Sequence, residues 1–285
     1  MTAARKQLFA LLATAVAGLG TMLMIDTVVR QLVYPAPDVR VPSPPPQPLV
    51  EVPLHSGGRE LSAWWQPPSR PGAPVVLMLH GNGENLETMR RAGLFAEFAR
   101  LGAGVLAIDY PGYGRSEGIP GEQANVEAAE SAWTWLAAHA SDGTAVSYTA
   151  GPKVVAGWSL GAAVATPLAA RRRGEVDGLI LMSGWNRLVD VAGLHFPHWI
   201  VAAALPERYD SAAAASNVTC PSLAIHGERD DLIPAALGRQ LFAALPEPKR
   251  WVEVRGAGHN DLLGRPETWQ EVEAFLQRLG ARSAG

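Results

Sequence analysis

The chain has a single cysteine, Cys220, in 285 residues, which excludes an intrachain disulfide. Placed just before Pro221 and an apolar run, Cys220 reads as a packed core thiol. Positive charge is not in excess either. The 24 Lys and Arg against 27 Asp and Glu give a formal net charge of −3, which leaves no electrostatic ground for a nucleic-acid partner. Clustered metal ligands are missing as well. His195 and His198 lie three apart, but Pro197 interrupts them and no cysteine or carboxylate cluster joins them, so neither a metal nor a cofactor is expected. Internal repeats are not apparent.

One long uncharged run is present. Residues 8–25 are rich in Leu, Ala, Val and Met and follow Arg5 and Lys6, about the shortest length that crosses a bilayer as a helix. The run is apolar on every face, unlike an amphipathic helix laid on a core. Its basic flank predicts an N-terminus in the cytoplasm and the rest of the chain outside it, as a single-pass membrane protein. Thr27-Val28-Val29 is not a small-residue cleavage site, which favours an uncleaved anchor over residues 1–30 against a signal peptide. Residues 31–48 form a proline-rich linker containing Pro44, Pro45 and Pro46. It reads either as a stiff extended spacer or as a stretch lying along the domain surface. Apolar residues make up 48% of the sequence, enough for one sizeable core, assigned to residues 49–285.

The strongest pattern in that domain is Val154-Val155-Ala156-Gly157-Trp158-Ser159-Leu160-Gly161-Ala162-Ala163. An apolar β-branched run, a Gly-x-Ser-x-Gly turn and small helix formers read as strand, sharp turn and helix. Such a turn holds the serine in strained backbone with its hydroxyl above the sheet, and the glycines let neighbouring backbone pass. Ser159 is the candidate nucleophile. A serine hydroxyl needs a base, and the base an orienting carboxylate. Residues 223–227 read as a buried strand ending in a polar turn with Asp230 and Asp231. Of these, Asp230 is closer to the strand end and is the candidate acid. The strand over 251–254 leads to Gly258-His259, whose imidazole is the candidate base. Asp261 is a fallback acid that would have to fold back on its own loop. After the strand over 74–79 comes His80-Gly81-Asn82-Gly83. Backbone amides near Asn82 and at Leu160 are candidates to bind an oxyanion. His80 and Asp109 read as groups that fix loops rather than as catalysts.

The remaining pattern predicts an edge hairpin over 49–54 and 60–66, a helix from Asn85 to about Leu101, and a strand over 104–110. Further on it predicts a helix carrying Val126, Ala129, Trp133 and Leu136, a strand over 176–183, and a closing helix from Pro266 to about Leu279. Residues 184–219 interrupt the alternation as a short cap. Its Trp185, Leu188, Val191, Phe196, Trp199, Ile200 and Leu205 either line an apolar acyl pocket or pack on the main domain.

With Tyr34-Pro35, His80-Gly81-Asn82-Gly83, the run from Asp109-Tyr110-Pro111-Gly112 to Ser116, Gly157-Trp158-Ser159-Leu160-Gly161, His226-Gly227 with Asp230, and Gly258-His259, the chain resembles the Bem46-type branch of the α/β-hydrolases. That branch includes ABHD-type lipid and thioester hydrolases. The resemblance implies an α/β-hydrolase fold, with a mostly parallel central sheet, helices on both faces and a short cap. It also implies a Ser159–Asp230–His259 triad acting on esters or thioesters without a cofactor. Trp158 departs from relatives that carry a smaller or basic residue there. Two other readings use the same residues: a serine peptidase, and a membrane-tethered binding protein on an inactive hydrolase fold.

Overall fold

A computed structural model describes residues 27, 29–139 and 151–283. The anchor expected over residues 8–25 lies outside them. Among the described residues no helix is long and apolar enough to cross a membrane.

Among the described residues ten strands form two sheets: β1 (Val50–Glu51), β2 (Leu54–Ser56), β3 (Arg59–Leu61), β4 (Ala63–Gln66), β5 (Val75–Leu79), β6 (Gly104–Ile108), β7 (Lys153–Trp158), β8 (Gly178–Met182), β9 (Ser222–Gly227) and β10 (Lys249–Val254). The main sheet has eight strands in the order β1-β4-β6-β5-β7-β8-β9-β10. The β1–β4 and β4–β6 pairs are antiparallel and the rest are parallel. Strands β5, β6, β8 and β9 are buried at every position, as parallel strands covered by helices must be. Side chains alternate between two cores. Val75, Leu77 and Leu79 join one cluster, and Val76 and Met78 the other.

The first cluster is covered by α3 (Glu122–His139), α4 (Leu160–Arg171) and α8 (Ala235–Ala244). The second is covered by α1 (Leu86–Arg91), α2 (Leu94–Arg100) and α9 (Pro266–Ser283). The single helix expected from Asn85 to Leu101 is two helices, because Gly93 takes a left-handed φ of 83° between them. The expected hairpin is also divided. Pro53, which has no N–H to give a ladder, separates β1 in the main sheet from β2, which pairs with β3 alone. Its Gly57-Gly58 turn has positive φ at both residues, as a two-residue hairpin loop of this hand requires.

Residues 30–41 lie along the domain. Arg30 Nη1 donates to the Pro120 carbonyl at 2.8 Å, and the Tyr34 and Tyr209 hydroxyls are 2.9 Å apart. Asn82 Nδ2 donates to the Val33 carbonyl at 3.3 Å, and Asn85 Nδ2 to the Val39 carbonyl at 2.7 Å. Tyr34 and Val41 are buried, one in each core cluster. This segment is a strap tying three loops together.

The cap carries α5 (Leu188–Ala192), α6 (His198–Ala204) and α7 (Ser211–Ala215). Of its apolar residues, Trp185 and Leu188 are buried. Phe196, Trp199 and Ile200 are 51%, 75% and 40% exposed, so these three neither pack on the domain nor line an enclosed pocket.

Candidate active site

From β5 the chain passes to β6 on one side and then crosses to β7 on the other. Such a reversal opens a crevice beyond the carboxyl ends of the strands. Each candidate residue follows its own strand there: Asn82 after β5, Ser159 after β7, Asp230 after β9 and His259 after β10.

Ser159 joins β7 to α4 with φ 53° and ψ −114°, a conformation non-glycine residues avoid. The glycines either side make the turn possible. A Cβ on Gly157 would stand 2.2 Å from the Gly161 carbonyl oxygen, and one on Gly161 would stand 2.0 Å from that of Leu79. The start of α4 therefore abuts the end of β5, next to the loop carrying Asn82. The Ser159 amide donates to the Met182 carbonyl at 2.9 Å, which ties the turn to β8.

Ser159 Oγ lies 3.1 Å from His259 Nε2, and His259 Nδ1 lies 2.8 Å from Asp230 Oδ2. A carboxylate only accepts, so Nδ1 carries the proton and Nε2 is left to accept from the serine hydroxyl. Burial by itself would raise the Asp230 carboxyl. Hydrogen bonds from His226 and His259, with the Ile233 amide at 2.7 Å, outweigh that and hold it well below the usual carboxylate range. Asp230 is thus a fixed negative charge under the imidazole. Asp261, the fallback acid, is committed elsewhere: it accepts from the Gly258 amide at 2.6 Å and pairs with Arg265.

The sequence reading gave His226 no role beside the acid. Its Nε2 donates to the Ile233 carbonyl at 2.8 Å and lies 3.4 Å from Asp230 Oδ2. The ring stacks on Trp251 with 5.7 Å between centroids. His226 thereby fixes both the carboxylate and the turn that carries it.

Leu160 opens α4, so its N–H has no carbonyl one turn back to receive it. On the facing loop, His80 Nδ1 donates to the Gly81 carbonyl at 2.7 Å, and the Asn82 carbonyl accepts from the Tyr113 hydroxyl at 2.9 Å. In a planar trans peptide the Gly81 C=O and the Asn82 N–H point opposite ways. His80 therefore sets the direction of the Asn82 amide. His80 is fully buried, and burial lowers its pKa to about 4. Burial raises Asp109, 4.0 Å away, to about 7, and its Oδ1 accepts from the Leu86 amide at 2.8 Å. Both hold loops in place.

Another carboxyl, Glu84, escaped the sequence reading. Its Oε2 accepts from the Gly81 amide at 3.0 Å, and burial pushes it up to about 7.

A serine on a strained strand-to-helix turn, with an imidazole and a buried acid on later loops of a parallel sheet, defines a serine hydrolase of the α/β-hydrolase class. Residues 71–211 match the family described as Serine aminopeptidase, S33. The uncharacterized protein Rv2307c of Mycobacterium tuberculosis is 35% identical over 253 residues, which are 85% of this chain and 84% of that protein. The lysophosphatidylserine lipase ABHD12 of Xenopus tropicalis is 30% identical over 245 residues, 77% of this chain and 61% of that enzyme. An esterase of Pyrococcus furiosus has the same fold, with a TM-score of 0.66 at 19% identity, covering 85% of this chain and 97% of that one. The chain belongs to the α/β-hydrolases of ABHD type and is a serine hydrolase of the esterase and lipase kind.

Proposed function

We propose that the protein is a membrane-anchored hydrolase of lipid-derived carboxylic esters or thioesters that works through an acyl-enzyme. The observation that carries this is the continuous relay from Ser159 Oγ through His259 to Asp230, at 3.1 and 2.8 Å. Ser159 Oγ attacks the acyl carbonyl carbon while His259 Nε2 takes its proton. The Asp230 carboxylate stabilises the imidazolium that forms. The amides of Leu160 and Asn82 receive the negative charge on the former carbonyl oxygen. Collapse of this intermediate breaks the bond to the alcohol or thiol, which leaves with the proton from His259. Water, activated by the same imidazole, then releases the acid and restores Ser159.

Two features support a lipid substrate. One is the apolar run over residues 8–25, read as an anchor that places the catalytic domain outside the cytoplasm. The other is the relative named as a lysophosphatidylserine lipase. A second reading, cleavage of peptides, is favoured by the aminopeptidase description of the matching family, since the same relay cleaves amides.

Labelling of the membrane-bound chain by a fluorophosphonate, compared with Ser159→Ala, tests the site. Labelling is expected to vanish in the variant, with turnover reduced by on the order of 10⁶-fold. Labelling that persists in Ser159→Ala overturns the assignment of the nucleophile. A panel of p-nitrophenyl acyl esters against aminoacyl p-nitroanilides separates the two substrate classes. Faster release from the anilides overturns the ester reading.

A further inference from the structure

Seven consecutive residues at the tip of the cap, 194–200, are all exposed. Leu194, Phe196, Trp199 and Ile200 are 46%, 51%, 75% and 40% exposed, and they account for half of the exposed large hydrophobic residues among the described ones. Scattered apolar side chains on a surface need no explanation; four within seven residues do. The other three are His195, Pro197 and His198, so the tip holds no Asp, Glu, Lys or Arg. It can leave water without stripping a fixed charge of its hydration. Tryptophan, with an apolar body and one N–H, suits the boundary between acyl chains and headgroups.

We propose that this tip is a bilayer-docking surface, which seats the cap on the membrane that holds the substrate. The inference rests on the lipid-hydrolase reading above. What selects a bilayer as the occupant is the place where the N-terminal run reaches the domain. The apolar residues 8–25 end two positions before residue 27. Three residues further on, Arg30 donates to the Pro120 carbonyl and lies 3.6 Å from Glu207. Tyr34 then meets Tyr209. Glu207 and Tyr209 belong to the segment that follows α6 in the cap. Residue 27 and Arg30 are three positions apart, at most about 11 Å of chain. From Glu207 back to Ile200 is seven residues, at most about 25 Å of chain. A chain emerging from a membrane at residue 27 therefore holds the cap tip within about one headgroup-to-headgroup depth of that surface. Leu32 and Ile119, 63% and 69% exposed, stand beside Arg30 and Pro120 in the sequence and are further exposed apolar side chains near that contact.

The full-length chain, reconstituted in phosphatidylcholine vesicles, tests this in two ways. The first reads position and needs no turnover. With dibrominated acyl chains in the vesicles, the unaltered protein is expected to lose a component of tryptophan emission that Trp199→Phe does not have. The same difference is expected in a Ser159→Ala background, so a failure of the hydrolase reading does not affect this arm. Equal quenching of the two proteins overturns the proposal, as does protection of Trp199 in a cross-linked pair of chains, which would make a second copy the occupant. The second arm reads function with Phe196→Ser/Trp199→Ser. The kcat/KM for p-nitrophenyl butyrate in solution is expected to stay within twofold, while hydrolysis of a long-chain acylglycerol carried in the vesicles falls tenfold or more. Equal losses on both substrates, or none on either, overturn it.

Discussion

The indole of Trp158 faces the imidazole of His259 with 5.2 Å between ring centroids and 33° between planes. Two carbons of the same indole stand 2.7 Å from where a Cβ on Gly81 would be. The residue before Ser159 thus touches both His259 and the loop that carries the Asn82 amide. Where the sequence showed only a departure from relatives, the structure shows a spacer between two parts of the site.

Replacing Gly81 by Ala sets a methyl against a rigid ring, and either the loop or the indole must move. A displacement of about 1 Å at a reacting centre costs about 100-fold in rate, and a loss of that order in kcat/KM is the expected result. In Gly81→Ala/Trp158→Leu, part of that loss is expected to return, because the two side chains act on one contact. Additive losses in a double-mutant cycle would contradict the spacer role.

Glu84 predicts an effect on the alkaline side. Its carboxyl, raised to about 7 by burial, accepts from the Gly81 amide in the loop proposed to bind the oxyanion. As pH rises through 7 this group gains a negative charge, which opposes the charge building on the substrate oxygen. The pH profile of kcat/KM is expected to bend downward there, and Glu84→Gln to remove the bend. An identical profile for both proteins counts against it.

His80 predicts a loss of stability in acid. Its pKa is about 4 in the fold and 6.5 as an ordinary histidine. Between those values the unfolded chain binds a proton that the folded chain does not, so stability falls as pH drops from 6.5 toward 4. Asp109, raised to about 7 in the fold, acts in the opposite direction, so the contribution of His80 is read by difference. Urea midpoints of the unaltered chain and His80→Asn, taken every half pH unit, are expected to converge as pH falls through that window. A constant gap between the two curves is the contrary result.

Tyr34→Phe keeps the buried ring and removes the hydroxyl that meets Tyr209. Tyr209 keeps the bond it receives from Asn125 Nδ2 at 3.0 Å. Loss of one such bond costs about 1 kcal/mol, a fall of roughly 2–4 °C in Tm for a domain of this size. Calorimetry of the purified chain measures it, and an unchanged Tm would mean the strap contributes nothing to the fold through this pair.

Much of the site could be read from the chain because its geometry restricts residue choice. At 157 and 161 backbone passes where a Cβ would meet a carbonyl oxygen at about 2 Å, so only glycine fits and the motif is visible. Strands β5, β6 and β8 show as unbroken apolar runs because both faces are covered. Of the two readings of the proline-rich stretch, the one along the domain surface was legible and is the one seen, but its contacts were not: two of them run through the main-chain carbonyls of Val33 and Val39, which any residue supplies. The outward turn of Trp199 was hidden for another reason. Helices of five to seven residues are too short for apolar spacing to define a face. The part played by His226 depends on Asp230 returning four residues later through a turn, which no strand pattern encodes.

Cys220, the only sulfhydryl in the sequence, is 8% exposed, and burial pushes its thiol up to about 12. Only the thiolate reacts with alkylating reagents, so burial and the raised pKa both slow the reaction of Cys220 with them at neutral pH. Two introduced cysteines, one at position 199 and one in the strap, would carry the dye or spin labels. The distance between cap tip and strap can then be followed on a chain whose native sulfur is buried.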